Sequence, residues 1–459
     1  MIVDFLASIS RSLPEVKAPT SPPQIKEKVI WTIAALVLFF VMYNVMIFGS
    51  ENIESFDFLQ MVTASRIGSL LTIGIGPIVL ASIFLQLFVG AGIINLNMQD
   101  PNDKKKFHEA QKTLAILIAL AEATIFVTTG VVKVSDHWGM TLPLLAIIQI
   151  TFGSVALLYL DEVISKYGIG SGISIFIAAG VSFSVIGGLI GTIIFGDYGV
   201  VAALTEGGAE GIPKAILATL PFIFTILVFI CVVYAESMKV EIPIAYERVR
   251  GLVPKLPLKL LYVSNIPVIF ASALLMSVVR LSEPLSQAKF ILGDVNIAHY
   301  LYGVLYMIRP IYGSGGAVEH FNYLLNGITP VFGLPEWLHA ITYILFLSLA
   351  SILFGIFWAE TSNMDSKSVA KQLDNSGMQV PGYRRDPRML EKVLEKHIFP
   401  LTVLGSFLVG LLAGIADLTG ALGTGTGILL TVGILYRMYE QIKQMKVLDL
   451  YPSIGKLIS

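Results

Sequence analysis

Two glycine-rich stretches, GIGSG at 168–172 and GTGTG at 423–427, are the first places where residue type and spacing suggest chemistry. Loops of this composition cradle phosphates when a Lys-Ser/Thr pair follows them. Here the next residues are ISI and ILL, which open apolar runs, so no nucleotide site is expected. The six histidines are scattered, with no HExxH or comparable cluster, and no metal or other cofactor is expected. The single cysteine, Cys231, excludes an internal disulfide and a Cys-rich metal site. One acidic residue, Glu122, sits well inside an apolar run. Such a carboxylate is a functional candidate by default, with a hydrogen bond between spans as its structural alternative. The remaining patterned charge is the arginine set Arg248, Arg250, Arg384, Arg385 and Arg388 in two long polar segments. A solvated positive face is the ordinary reading. Exposed, turn-forming tips such as VPGYRRDP at 380–387 also suit a large anionic partner, RNA included. Nothing here assembles a catalytic constellation, and the chain is not expected to be an enzyme.

The elements that must position these residues are membrane helices. The chain has 459 residues, 55% of them hydrophobic and 14% charged, against roughly 25% charged in soluble domains. Its mean hydropathy is +0.78. A crossing needs about 20 mostly apolar residues, and ten runs qualify, near 29–48, 73–94, 113–132, 142–160, 170–195, 214–235, 260–280, 337–359, 398–416 and 424–442. The first residues, MIVDFLASISRSL, do not suit a secretory signal and predict a short amphipathic helix on the membrane surface. PEVKAPTSPP then reads as an extended linker. With the N-terminus cytoplasmic, 25 of the 31 Lys and Arg fall on the inner side; the others are Arg66, Lys133, Lys214, Arg280, Lys289 and Arg309. That bias predicts N-terminus and C-terminus both cytoplasmic.

ENIESFDFLQMVTASRIG, 51–68, is too short and too charged to cross. It reads either as a half-inserted helix folding back into the protein, where irregular backbone at membrane depth is tolerated, or as a surface loop. The chain also repeats itself. GIGPIVLAS at 74–82 matches NIPVIFAS at 265–272 on Pro77 and Pro267. GIGSGI at 168–173 matches GTGTGI at 423–428, pairing Gly172 with Gly427 and Ile173 with Ile428. Both matches lie five spans apart. An odd offset inverts the second half, and inverted repeats place a site on their shared axis near the midplane. Ile75 and Val79 are spaced i, i+4, as are Ile169 and Ile173, so each pair is expected on one helical face. Converging helix starts of this kind would form a narrow aliphatic constriction that blocks water and ions by dewetting; ordinary packing or lipid contact is the alternative. Scarce intramembrane charge argues against an ion-coupled secondary transporter. That reading, and a lateral-only membrane insertase, stay open on the residues alone.

GIGPIV, KYGIGSGIS, YVSNIP, VPGYRRDP and GTGTGILLTV, in this order and over nearly the whole chain, resemble the SecY family of protein-translocation channels, archaeal type. The resemblance implies an all-α polytopic membrane protein of ten transmembrane helices in two inverted five-helix halves, with a re-entrant plug helix. Residues 1–28 would be the amphipathic helix and linker. The halves would be 29–212 and 213–459, the second carrying cytoplasmic loops 236–259 and 361–397. The family's pore ring maps by motif onto Ile75, Val79, Ile169, Ile173, Ile269 and Leu430. The plug maps onto about 56–66, with Phe56, Phe58, Leu59, Met61, Val62, Ser65 and Arg66, the last at a position implicated in signal-sequence orientation. Spans two and three against seven and eight resemble the lateral gate, with Gln86, Glu122 and Ser277 as its polar residues. Leu80 departs from the Thr of related archaeal chains. Arg250 and Arg384, with Arg248 and Arg385 beside them, match ribosome-docking positions. Implied partners are a SecE-type (gamma) subunit, a small single-span beta subunit, the ribosome, signal sequences and nascent polypeptides, and membrane lipids. The implied location is the plasma membrane. The outer loop 281–336 carries no motif with a family counterpart.

Overall fold

Helices are the expected answer to these apolar runs, because in hydrocarbon every N–H and C=O must be satisfied within its own segment. The computed structural model describes residues 2–21, 23–50, 64–90, 92–94, 96, 100–134, 141–194, 199–206, 211–243, 245–246, 255–272, 274–275, 291–292, 295–310, 323–329, 333–375, 378–379, 387–422 and 424–450. Six described helical segments are long and apolar enough to cross a membrane: 101–128, 141–167, 172–191, 211–237, 336–375 and 388–418. The chain divides into two compact units, 1–184 with 430–459, and 185–429.

In the first unit, α1 (Ile2–Ser10), α2 (Ile25–Asn44), α3 (Gly76–Gly90), α4 (Pro101–Thr128), α5 (Thr141–Tyr167) and the start of α6 (Gly172–Gly187) follow in order. Helix α4 begins twelve residues before the expected span at 113. Asp100 caps it, its carboxylate accepting the Asn102 N–H at 2.9 Å, and Pro101 stands in the first turn. The polar extension is stable because α1 lies on it. Val3 and Leu6 pack with Leu85, Phe107 and Ala110, and the Thr113 hydroxyl donates to the Leu6 carbonyl at 2.9 Å. Further along, Ala119 and Ala123 of α4 meet Ala146 and Ile150 of α5 in one core. Small side chains at i, i+4 let the two helices approach closely. The linker after α1 is held too: Lys112 donates to the Pro14 carbonyl at 2.9 Å and pairs with Glu162 at 3.2 Å.

In the second unit, α7 (Val200–Glu206), α8 (Gly211–Ala218), α9 (Leu220–Ser237), α10 (Ile297–Tyr306), α11 (Glu336–Thr361), α12 (Ser366–Asn375) and α13 (Pro387–Leu418) precede α14 (Gly425–Leu450), most of which belongs to the first unit. The α11–α13 seam is lined by glycine. A Cβ on Gly355 would lie 1.9 Å from Ser406 Oγ, and one on Gly410 2.7 Å from Ser348 Cα. Helix α13 starts eleven residues before the span expected at 398, for the same reason as α4. Its amphipathic first turns give Leu390, Leu394 and Ile398 to a core with Ala370 and Leu373 of α12 and with Ile242 and Leu258. The last two lie on an antiparallel hairpin, β1 (Lys239–Pro243) with β2 (Lys255–Lys259). Ala245–Tyr246 also pairs with Met378–Gln379, which joins the two Arg-bearing loops to each other.

Candidate functional site

The backbone entering α3 is irregular and buried. Ala64, Ser65, Ile67, Ser69, Leu71, Thr72 and Ile73 are all inaccessible, yet the main chain from 66 to 75 forms no regular helix. Its polar groups are met by protein. The Leu70 N–H donates to the Val45 carbonyl at 2.9 Å and the Ile47 N–H to the Gly68 carbonyl at 2.8 Å. Helix α5 closes over it through Gly153, where a Cβ would sit 1.9 Å from the Leu70 carbonyl oxygen. This is the condition under which irregular backbone survives at membrane depth. Arg66 is fixed at the C-terminal end of α2, donating from Nη1 to Asn44 Oδ1 at 2.8 Å with its guanidinium 5.9 Å from the Tyr43 ring centre. A cation there complements the helix dipole. Phe56, Phe58, Leu59, Met61 and Val62 lie outside the described residues.

The expected aliphatic positions fall at helix starts. Ile75 is buried and immediately precedes α3; its carbonyl accepts from the N–H groups of Ile78 at 3.0 Å and Val79 at 3.1 Å. Ile75 and Val79 therefore share a face, as their spacing predicts. Ile169 and Ile173 do not. Gly170 lies between them with φ +75°, and α6 begins only at Gly172. That left-handed residue breaks the run, so the i, i+4 argument fails for this pair. Each of the two isoleucines is instead held through its own N–H. Ile169 donates to Thr32 Oγ1 of α2 at 3.1 Å, and Ile173 donates to Asp161 Oδ1 of α5 at 2.9 Å. Ile269 sits half-buried in the first turn of a helix that includes 266–272; its N–H donates to the Asn265 carbonyl at 3.2 Å. Leu430, fully buried, follows Leu429, whose carbonyl accepts from Asn265 Nδ2 at 2.9 Å. The side chains at all six positions are plain aliphatics, and the polar attachments described here are to the main chain at or next to them.

Two carboxylates that residue patterning passed over organise these starts. Asp417, near the end of α13 and 6% exposed, accepts at Oδ1 from the N–H groups of Gly425 (2.8 Å) and Thr426 (3.3 Å). Its Oδ2 accepts from the Tyr343 hydroxyl at 2.6 Å and from Thr426 Oγ1 at 3.1 Å. Thr424 takes the third free N–H of α14, that of Gly427, on its own Oγ1 at 3.1 Å. Every N-terminal donor of that helix thus has an acceptor, as a buried helix start requires. Asp161 has the matching role at α6. Glu122 is therefore not the one acid within the apolar helices: Asp161 and Asp417 lie inside α5 and α13. The signal was present, since an aspartate stands seven residues before Gly168 and six before Gly423. The repeat also changes register. The helix starts Gly172 and Gly425 both abut their Asp-bearing helix, a Cβ falling 2.6 Å from Asp161 Cα in one and 2.5 Å from Asp417 N in the other. Structurally, Gly172 corresponds to Gly425, two residues from its letter match with Gly427.

Of the polar residues expected along α3 and α4, Glu122 is half-buried. Gln86 donates from Nε2 to Ser82 Oγ at 3.0 Å, while its Oε1 is buried without an acceptor's partner among the described residues. Ser277, Arg248, Arg250, Arg384 and Arg385 lie outside the described residues; Arg388 is exposed in the first turn of α13. In the first turn of α11, His339 sits between Glu336 Oε1 at 2.7 Å from Nδ1 and the Arg309 carbonyl at 2.9 Å from Nε2. Burial, reinforced by the Tyr323 hydroxyl, raises the Tyr306 phenol well above its ordinary value.

A sequence model of the SecY family matches residues 69–439. The chain is 43% identical over 462 residues to the protein translocase subunit SecY of Methanocaldococcus jannaschii, covering 99% of both chains. It is 38% identical to the same subunit of Pyrococcus horikoshii, covering 99% of this chain and 98% of that one. Its fold is similar to a solved structure described as a protein conducting channel, with a TM-score of 0.77 and 41% identity over 98% of this chain and 99% of that one. It is similar also to Sec61 in the canine ribosome-channel complex from the endoplasmic reticulum, with a TM-score of 0.74 and 39% identity over 98% and 99% of the two chains.

Proposed function

The chain belongs to the SecY family and is the pore-forming subunit of a protein-translocation channel, an all-α multi-pass membrane protein and not an enzyme; from that premise we propose which residues do the work. Ile75, Val79, Ile169, Ile173, Ile269 and Leu430 form the constriction through which a polypeptide passes. The observation that carries this reading is the division of labour at these positions. Polar side chains grip the main chain at Ile169 and Ile173 and beside Leu430, which leaves uncharged, rotatable side chains to close on any passing chain. Aliphatic side chains form no lasting polar bonds with the substrate and resist water when shut.

The segment about 56–66 acts as the plug, and Arg66, anchored on Asn44, orients signal sequences. Spans two and three against seven and eight open sideways to lipid, with Gln86, Glu122 and Ser277 lining the exit. The two halves are 29–212 and 213–459. The protein lies in the plasma membrane with both termini cytoplasmic, beside a SecE-type subunit and a small beta subunit. Arg248, Arg250, Arg384 and Arg385 dock a ribosome. The pairing of Ala245–Tyr246 with Met378–Gln379 supports this, because it joins the loops that carry them. Arg250→Glu or Arg384→Glu should weaken ribosome binding to reconstituted vesicles while leaving them ion-tight.

The primary test is a photoreactive residue at Ile173 in channels bound to ribosomes that carry a stalled secretory chain of about 80 residues, a length set by roughly 3.3 Å per extended residue. A cross-link from position 173, absent from the exposed α5 position Ile148, is expected. With the chain verifiably targeted, no cross-link at 173 would remove Ile173 from the pore.

A further inference from the structure

Helix α10 lies in the long segment 281–336, which no motif explains. Its end is fastened to α11 at one buried point. His339 and Glu336 are each 1% exposed. His339 Nδ1 lies 2.7 Å from Glu336 Oε1, and Nε2 lies 2.9 Å from the Arg309 carbonyl oxygen. Beside them Thr342 Oγ1 donates to the Met307 carbonyl at 2.7 Å. These two carbonyls directly follow α10, where the last acceptors of a helix need donors from elsewhere. Both ring nitrogens of His339 therefore face oxygens. A neutral imidazole has one N–H and can serve only one of them. With the proton on Nε2, the Nδ1 lone pair would face a carboxylate oxygen; with it on Nδ1, the Nε2 lone pair would face a carbonyl. Making both bonds takes one further proton, held between Nδ1 and Oε1. Glu336 Oε2 is buried with no partner among the described residues, which further disfavours a bare carboxylate there. The groups facing the pair are Tyr306, its ring centre 5.0 Å from that of His339, Tyr323, its hydroxyl 3.4 Å from that of Tyr306, and Arg309, its guanidinium 5.3 Å from the Tyr306 ring centre. On α13, Asp417 is bound to Tyr343, one turn further along α11.

We propose that His339 and Glu336 form a proton-dependent latch, which holds the end of α10 on the first turns of α11 and lets go when the shared proton is lost. The sign follows from counting protons. Released into water above about pH 6.5, the imidazole is neutral and the carboxyl ionised. The latched pair holds one proton more. The attachment is therefore full below about pH 6.5 and weakens as pH rises. No ring residue takes part, and α10 and α11 belong to the same compact unit, 185–429, so the latch stands apart from the reading of the pore. Its consequence is that the freedom of the α10 segment follows the pH of the solution on its own side of the membrane.

The test is hydrogen exchange at the N–H groups of Met307, Ile308 and Arg309, which bond to the carbonyls of Gly303, Leu305 and Tyr306. It is read on the full-length protein in lipid nanodiscs from about pH 7 to about pH 9, above the titration of a free imidazole. Rates are corrected for base catalysis and referred to amides in the middle of α13. Protection of the three amides should fall about ten-fold per pH unit, the slope of a one-proton linkage. Glu336→Gln is the sharpest variant. Its amide N–H can donate to Nδ1 while Nε2–H donates to the Arg309 carbonyl, so both bonds form without the further proton. E336Q should keep the three amides protected with no slope. His339→Leu should leave them unprotected at every pH. A flat profile in the unmodified protein would overturn the proposal, and that measurement needs no variant to fold. A slope in E336Q equal to that of the unmodified protein would overturn it too, since another group then carries the proton. Full protection in H339L would show that His339 holds nothing, with the same result.

Discussion

At the start of α6, Asp161 reaches from α5 to the N–H of Ile173, and four residues, 168–171, separate the two helices. At the start of α14, Asp417 reaches from α13 to the N–H groups of Gly425 and Thr426, and six residues, 419–424, intervene. Both helices begin on a carboxylate of the preceding helix, where negative charge meets the positive end of the dipole. The settings differ. Asp161 is partly accessible and grips a proposed ring residue directly. Asp417 is buried, serves four donors including Tyr343, and holds residues five and four positions before Leu430. The α14 start also holds Thr424 at φ +57°, a conformation in which a β-branched residue is strained. One device thus appears in two forms. At Asp417 it is mainly an anchor for the fold, and at Asp161 mainly an attachment for the proposed constriction.

The comparison is broken most severely at the glycines. A Cβ on Gly425 would meet Ala416 Cβ at 2.2 Å and the main chain of Ala416 and Asp417 at 2.5 Å, whereas one on Gly172 would meet Asp161 Cα at 2.6 Å. Gly425→Ala should abolish accumulation of folded protein in the membrane, and Gly172→Ala should reduce it sharply, both read as monodisperse yield in detergent. Next comes Asp417→Leu, which removes the acceptor of four bonds and leaves the buried Tyr343 hydroxyl unpaired. A loss of about 3 kcal/mol is expected, seen as a lowered unfolding midpoint. Asp161→Leu should lose about 1–2 kcal/mol, the range for a helix cap, but raise resting ion leak more than Asp417→Leu does. Equal losses in the two variants, or a larger leak from Asp417→Leu, would contradict the division drawn above. The smallest effect has the opposite sign. Thr424→Asn keeps a side-chain oxygen for the Gly427 N–H and suits the left-handed conformation. It should stabilise by about 0.5–1 kcal/mol, with no change in leak.

Much of the fold could be read directly from the chain. Each expected span carries a described helix over at least part of its length, α7, α10 and α12 lie between spans, and α3 starts where GIGP places a helix start. What escaped was whatever hydropathy does not weigh. The first turns of α4 and α13 are polar and charged, and they are helical because α1, α12 and the β1–β2 hairpin cover one face of them. Ile169 and Ile173 looked like one helical face because spacing carries no record of φ at Gly170. The glycine echo matched letters in a register two residues from that of the helix starts, because the contact with the Asp-bearing helix, and not the letter pattern, sets where each helix begins.

Sequence alone determined that this chain lives in a membrane, that its segments are helical, that two of its motifs recur five apolar runs further on, and that the residues beside those motifs are aliphatic and without catalytic groups. Those properties are sums over neighbouring residues, and a local sum can be taken from a string. Only the tertiary structure decided which polar group holds which stretch of main chain: Thr32 for Ile169, Asp161 for Ile173, Asn265 for Leu429 and Asp417 for Gly425. The physical reason is that a buried N–H or C=O must find a partner within about 3 Å wherever the fold places one, and that partner is chosen by distance in space, not by position along the chain.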